Sequence, residues 1–403
     1  MRRAVIIGAG LAGASAAFAL REARFDGSVA LIGDEDHVPY DRPPLSKGYL
    51  RGEEPASQAQ VRPADDYAAN DIELQLGRKA LTIDRHRRRV TLDNGREVAY
   101  DRLLLATGAR ARGLLATNAH LPGVFYLRTL DDADAIRAAT ASARHIVVVG
   151  GGWVGSEVAA SLRQMGLEAT LVANLPNPLE RVLGPEAASV YTAAHLDHGV
   201  RLLQGRVTAV DGDERVSEVL VGRRRLKADL VVAGVGSVPN IELARRAGLQ
   251  VAGAGVAVSA ELQTSDPAIY AAGDIAAAWH PRFGERLRVE HWDNAREQGA
   301  AAAVNVLGRG EPYSRTPYFY SDQYDLGMEY RGYAAAWDRV ILRGDASSGG
   351  LLAFWLLDGR VQAAMNVNAW EAGDDLAAMV DRRQAVSPAR LADPGIELSR
   401  VAA

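Results

Sequence analysis

The same grammar of strand, glycine turn and alanine-rich helix is written twice in this chain, and that repetition limits the possible folds more than any other feature. Ala4-Val5-Ile6-Ile7 runs into Gly8-Ala9-Gly10-Leu11-Ala12-Gly13, and His145-Ile146-Val147-Val148-Val149 runs into Gly150-Gly151-Gly152-Trp153-Val154-Gly155. A second apolar strand follows each helix, at 29–33 and 169–173. Each unit therefore reads as βαβ, the element of a parallel sheet.

In such a turn the first glycine makes the bend, the second lets the backbone approach a pyrophosphate, and the third lets helix pack on strand. Gly8, Gly10 and Gly13 hold these positions in the first unit, and Gly150, Gly152 and Gly155 in the second. The amides opening each helix, at Leu11 and Ala12 and at Trp153 and Val154, offer the positive end of a helix dipole to phosphate. An acid about twenty residues on usually binds the adenosine ribose; the first unit supplies Asp34 with Glu35 beside it. The second strand of the second unit ends instead at Ala173-Asn174, and Arg181 is the nearest arginine for a 2′-phosphate. The expectation is NADH, with NADPH left open.

Between the two units, 81–83 and 90–92 read as short antiparallel strands, with Asp93-Asn94-Gly95 as a turn. After Thr316 the texture changes. Residues 339–343, 351–357 and 360–367 read as strands, the last two joined at Asp358-Gly359, so a separate α+β region closes the chain.

At 403 residues, two or three domains with large cores are expected. No apolar run is long enough to cross a bilayer, and the N-terminus enters a strand without a cleavable signal, so the expected location is the cytoplasm, with no membrane partner. A net charge of −4 gives no footprint for nucleic acid. The chain has no cysteine, which removes structural disulfides, thiolate metal sites, iron–sulfur ligation and thiol-relay chemistry from its own repertoire. No metal site is expected.

Four further motifs carry a resemblance: Pro39-Tyr40-Asp41-Arg42-Pro43-Pro44-Leu45-Ser46-Lys47, Tyr126-Leu127-Arg128-Thr129-Leu130, Tyr270-Ala271-Ala272-Gly273-Asp274 and Tyr320-Ser321-Asp322-Gln323. Over nearly its full length the chain resembles the FAD-dependent ferredoxin reductases of the putidaredoxin reductase and biphenyl-dioxygenase reductase type, within the glutathione-reductase-like fold. The resemblance implies FAD contacts for Asp34, Glu35, Arg42, Lys47, Ala80, Ala106, Thr107, Gly108, Arg128, Asp274 and Trp292, besides the first glycine turn. For the nicotinamide cofactor it implies Glu157, Asn174, Arg181, Val235 and Gly236, besides the second. Lys47 resembles the lysine near flavin N5, and Glu157 the glutamate facing it; these two are the candidate catalytic residues. Asp274 alternatively caps a helix beginning near Ile275, and the Lys47–Glu157 pair is alternatively a plain ion pair. Trp292 either covers the flavin edge or packs, and Tyr320 lies either near a docking surface or in the core.

The implied fold is α/β: two Rossmann-like dinucleotide-binding domains and a C-terminal α+β domain. The expected boundaries are 1–112 with 241–316 for FAD, 113–240 for NAD(P)H and 317–403 for the last domain. The implied activity is electron transfer from NAD(P)H through FAD to a two-iron ferredoxin that serves a haem monooxygenase or a ring-hydroxylating dioxygenase, by a monomer or homodimer. A small-acceptor reductase or oxidase, working on quinone, dioxygen or monodehydroascorbate, and an apoptosis-inducing-factor-like binding protein are the alternatives. The basic run Arg85-His86-Arg87-Arg88-Arg89 reads as a water-facing turn, and Arg286, Arg288 and Arg296 as the better candidates for docking an acidic ferredoxin.

Overall fold

The strand Arg3–Ile7, buried from Ala4 to Ile7, lies at the centre of a five-stranded parallel sheet. In the computed structural model, which describes residues 2–346 and 350–402, this sheet runs Ile269–Ala271, Arg102–Leu105, Arg3–Ile7, Ser28–Ile32, Ile72–Gln75. Such continuous burial is what a parallel strand covered on both faces requires. The helix Leu11–Glu22 turns Ala12, Ala14, Ala16, Ala17 and Leu20 into that core. Small side chains let it pack closely on the helix Trp292–Val306, where a Cβ at Gly299 would stand 2.2 Å from the Ala12 carbonyl oxygen.

A second five-stranded parallel sheet runs Arg201–Gln204, Glu168–Ala173, His145–Val149, Leu230–Ala233, Val124–Tyr126. The two sheets share one topology. In each, the glycine-turn strand has its βαβ partner on one side and a later strand on the other, and the strand order reverses there. That reversal is where open α/β sheets bind ligands, beyond the carboxyl ends of the strands. Each sheet is also accompanied by a three-stranded antiparallel meander, Ala80–Asp84, Arg89–Leu92, Glu97–Ala99 in one case and Val207–Asp211, Glu218–Val221, Arg224–Lys227 in the other.

The closing sheet is antiparallel: Tyr318–Gln323, Leu326–Gly332, Arg360–Val367, Gly350–Leu357, Arg339–Asp345. Its tight hairpin turns at Asp358 (φ 50°) and Gly359 (φ 70°), the left-handed pair that matches strand twist. One face of this sheet packs with Leu183, Ala187 and Tyr191 of the helix Glu180–Asp197, and the other with Leu376 and Met379 of the helix Gly373–Asp381.

By contacts the chain forms two compact units. The first comprises Met1–Arg42, Ala56–Arg110 and Ser237–Arg315; the second comprises Pro43–Pro55, Ala111–Gly236 and Thr316–Ala403. Among the described residues no helix is long and apolar enough to cross a membrane.

His195, on the helix Glu180–Asp197, is fully buried, and burial pushes its imidazole down to about 4 from 6.5. Between these values the unfolded chain binds the proton and the folded chain does not, so stability falls as the pH drops through that window, by about 3 kcal/mol if fully realised. Thermal melts from pH 7 to pH 4.5 should show a steeper loss for the wild type than for His195→Gln; parallel curves would mean that His195 gains its proton without cost.

Candidate functional site

In the first unit the three glycines are held for three different reasons. A Cβ at Gly8 (φ +110°) would stand 2.1 Å from the Ala106 carbonyl oxygen, and one at Gly13 would stand 1.9 Å from the Gly8 carbonyl oxygen. At Gly10 a Cβ would meet nothing within 4 Å. Gly8 and Gly13 are therefore required by the fold, whereas Gly10 keeps open a space beside the helix N-terminus. That helix has Gly10 as its N-cap with no side chain accepting its first amides, as a phosphate site requires.

Around this turn, Asp34 is exposed just past the second strand. Glu35 is engaged: it accepts from the Tyr40 hydroxyl and, at 2.8 Å, from Arg42 Nη2. Arg42 is also within electrostatic reach of Asp274. Ala106, Thr107 and Gly108 follow the strand at the topological switch, and Thr107 Oγ1 donates to the Asn240 carbonyl at 2.7 Å. Ala80 opens the first strand of the meander.

Asp274 lies in a single 3-10 turn, Gly273–Ile275, which leads into the strand Ala276–His280 rather than into the helix expected near Ile275. Gly273 (φ +75°) would crowd Ala12 at 3.1 Å if it carried a Cβ, and its amide donates to Gln298 Oε1 at 3.0 Å. Trp292 begins the helix Trp292–Val306; its indole donates to Asp41 Oδ1 at 2.7 Å, and the Arg296 guanidinium lies 4.5 Å from its ring. Burial pushes the Asp41 carboxyl up, against the Trp292 hydrogen bond and Arg296, which pull it down.

The second unit repeats the turn. A Cβ at Gly150 (φ +113°) would stand 2.3 Å from the Gly234 carbonyl oxygen and one at Gly155 1.9 Å from that of Gly150, but at Gly152 nothing lies within 4 Å. The helix Trp153–Gln164 likewise begins at Gly152 with no side-chain cap. Val154 is exposed, and Val235 and Gly236 (φ +105°) follow the strand Leu230–Ala233. Asn174 and Arg181 are exposed on either side of a loop pinned to the turn by the Leu179 amide, which donates to the Gly151 carbonyl at 2.7 Å. Arg128 directly precedes a capping box in which Thr129 and Asp132 exchange hydrogen bonds.

Glu157 sits one turn into the second helix and is buried, with three partners inside this unit. Lys47 Nζ is 3.1 Å from Oε1, Ser321 Oγ donates to Oε1 at 2.7 Å, and Ser46 Oγ donates to Oε2 at 2.5 Å. Ser46 is fixed in turn, since its carbonyl accepts from Ser161 Oγ at 2.6 Å. A buried carboxylate satisfied this completely holds its cation in a defined position. Lys47 Nζ also lies 5.1 Å from the centre of the half-buried Tyr320 ring.

The residues proposed for docking are differently placed. Arg286 donates to the Val258 and Ala277 carbonyls, Arg288 pairs with Glu290, and Arg296 pairs with Asp293 and Glu297. In the basic run, Arg85 is tied to Asp266 at 2.8 Å and Arg89 to Glu97 at 3.0 Å. Sequence reading quoted Ser46, Ser321 and Asp41 within motifs but gave them no role. Their partners are 111, 164 and 251 positions away, and no local pattern announces such pairs.

Comparison with known proteins adds to this geometry. Residues 2–299 match the family described as pyridine nucleotide-disulphide oxidoreductase, and residues 318–402 match the reductase C-terminal family. The chain is 38% identical to putidaredoxin reductase from Pseudomonas putida, over 99% of this chain and 96% of that one. It is 38% identical to the anthranilate 1,2-dioxygenase system ferredoxin–NAD(+) reductase component from Burkholderia cepacia, over 98% of both. The crystal structure of a ferredoxin reductase from Rhodopseudomonas palustris superposes with a TM-score of 0.95 at 38% identity, covering all of both chains.

Proposed function

Because the chain belongs to the pyridine nucleotide-disulphide oxidoreductase family and is an oxidoreductase of the ferredoxin–NAD(+) reductase type, we propose that it carries electrons from NADH through FAD to a two-iron ferredoxin serving an oxygenase. The observation that carries this reading is the pair of glycine turns, each keeping one Cβ position open at an uncapped helix N-terminus. Two such cradles fit two dinucleotides.

We assign the domains as FAD-binding for 1–112 with 241–316, NAD(P)H-binding for 113–240, and C-terminal for 317–403. The first turn, Asp34 and Asp274 hold FAD, with Arg42 ordered by Glu35 beside them. The second turn with Asn174, Arg181, Val235 and Gly236 holds the nicotinamide cofactor. Bound FAD accepts a hydride and releases single electrons. Lys47 presents its ammonium to the reduced ring, where negative charge develops, and Glu157 holds that ammonium in place. With no cysteine in the chain, the reaction does not end on a thiol of its own.

The test is NADH-driven cytochrome c reduction with and without a panel of two-iron ferredoxins. A large rise with one ferredoxin is expected. If no ferredoxin helps while quinone or dioxygen is consumed quickly, the acceptor is a small molecule.

Ala173 ends the strand at which an acid would bind the adenosine ribose. Ala173→Glu should raise the NADH-to-NADPH ratio of kcat/KM by about tenfold. An unchanged ratio would place the adenosine elsewhere.

A further inference from the structure

Glu157 is the end of a longer hydrogen-bonded chain inside the second unit. Ser321, its 2.7 Å donor, receives the side-chain amide of Gln323 at 3.3 Å. Gln323 faces His195, and His195 Nδ1 lies 3.0 Å from the Tyr324 hydroxyl. Tyr324 stacks at 3.7 Å on His198, which is exposed. Ser321, Gln323 and His195 are all buried. Gln323 Oε1 and His195 Nε2, the two atoms at the join, make no other hydrogen bond. The remaining titratable groups within electrostatic reach of Glu157 are Tyr191 and Asp322.

The polarity of this chain follows from its members. A neutral imidazole has one donor and one acceptor, and burial keeps His195 neutral above about pH 4. Burial raises the Tyr324 phenol, so its hydroxyl stays protonated and donates to Nδ1. The proton of His195 then sits on Nε2, toward Gln323 Oε1. The Gln323 amide donates to Ser321, and Ser321 spends its only proton on the carboxylate paired with Lys47. Every donor points the same way, and such aligned bonds reinforce one another. An apolar core at these positions would fold without the desolvation cost.

We propose that Gln323 and His195 are positioning residues: a one-way hydrogen-bond chain from Tyr324 to Glu157 that offsets part of the carboxylate's charge, fixes it against Lys47, and so sets how readily the flavin is reduced. This rests on the reading of Lys47 and Glu157 as flavin neighbours.

The experiment is a spectroscopic redox titration of the flavin in purified holoenzyme, on wild type, Gln323→Met, His195→Leu, His195→Gln and Glu157→Gln. Gln323→Met should make flavin reduction about tenfold less favourable, a shift of about 30 mV to lower potential for a two-electron couple. His195→Leu should move it the same way by about threefold, and His195→Gln, which returns an N–H toward Gln323, should restore it. Glu157→Gln removes the negative charge and should move the potential upward. If Glu157→Gln shifts the potential while Gln323→Met and His195→Leu do not, the chain is packing only and the proposal is overturned. If Glu157→Gln also leaves the potential unchanged, the placement of Glu157 beside the flavin falls, and the proposal with it. Should His195→Leu fail to fold, Gln323→Met decides alone, because its side chain is close to isosteric.

Discussion

Gly10→Ala should give a folded, colourless protein, and Gly13→Ala should give one that scarcely folds. The two substitutions are chemically identical and three residues apart, so the difference isolates the purpose of each glycine. Gly10 has φ −88° and ψ −170°, an extended conformation open to any residue, and its Cβ would meet no protein atom within 4 Å. Alanine there therefore leaves the apoprotein intact. It occupies the place through which a pyrophosphate approaches the helix amides, and FAD affinity should fall at least about a hundredfold. At Gly13 the new methyl would stand 1.9 Å from the Gly8 carbonyl oxygen, a backbone atom of the turn itself. Relief requires the helix to leave the strand, at a cost of about 3 kcal/mol or more. Flavin-to-protein ratio and the thermal melt of the apoprotein separate the two outcomes. If Gly10→Ala retains its flavin, the first turn does not hold the pyrophosphate. In the second turn, Gly152→Ala should raise KM for NADH and leave flavin content normal, and Gly155→Ala should unfold the protein.

Lys47→Met should slow NADH-driven flavin reduction on the order of a hundredfold, the usual effect of removing one preorganised charge from a site of developing charge. The flavin should remain bound, because the dinucleotide cradle belongs to the first unit. Glu157 would keep Ser46 and Ser321 as donors but lose its counter-ion, so some stability is lost as well. Lys47→Arg is not a conservative rescue: a planar fork cannot replace a compact ammonium held by one carboxylate oxygen. Stopped-flow absorbance of the oxidised flavin band measures the rate directly. An unchanged rate at saturating NADH would reduce the Lys47–Glu157 pair to a structural ion pair.

Both predictions depend on features that were unequally visible in the sequence. The glycine turns were legible because bend, approach and packing each demand a missing Cβ at a set spacing, and nothing else satisfies all three. The hairpin at Asp358-Gly359 was legible for a similar reason, as both residues tolerate the left-handed conformation. The helix Glu180–Asp197 was not anticipated, because Gly184 (φ 74°) and Pro185 look like a breaker and in fact form a kink inside it. Tyr318–Gln323 was quoted as a motif but not read as a strand. Of the candidate site, Lys47 and Glu157 were named through a family likeness, and the serines that complete their cluster were given no role. The distinction is physical: a turn is encoded by neighbours, whereas a buried carboxylate collects its donors from wherever the fold delivers them.

The division of the chain into two units also bears on how the protein is made. Going from the N-terminus, the backbone alternates between them, so that Pro43–Pro55 belongs to the second unit before the first has received Ala56–Arg110. The first parallel sheet gains its edge strand Ile269–Ala271 only late, and the second unit takes its last strands from the C-terminal sheet. Domains emerging from the ribosome usually fold in sequence as each is completed. Here neither unit is contiguous, so early segments must wait, exposed, for partners still being translated. A nascent chain of this kind depends on holding chaperones more than its final stability would suggest, and no simple truncation will yield either unit alone.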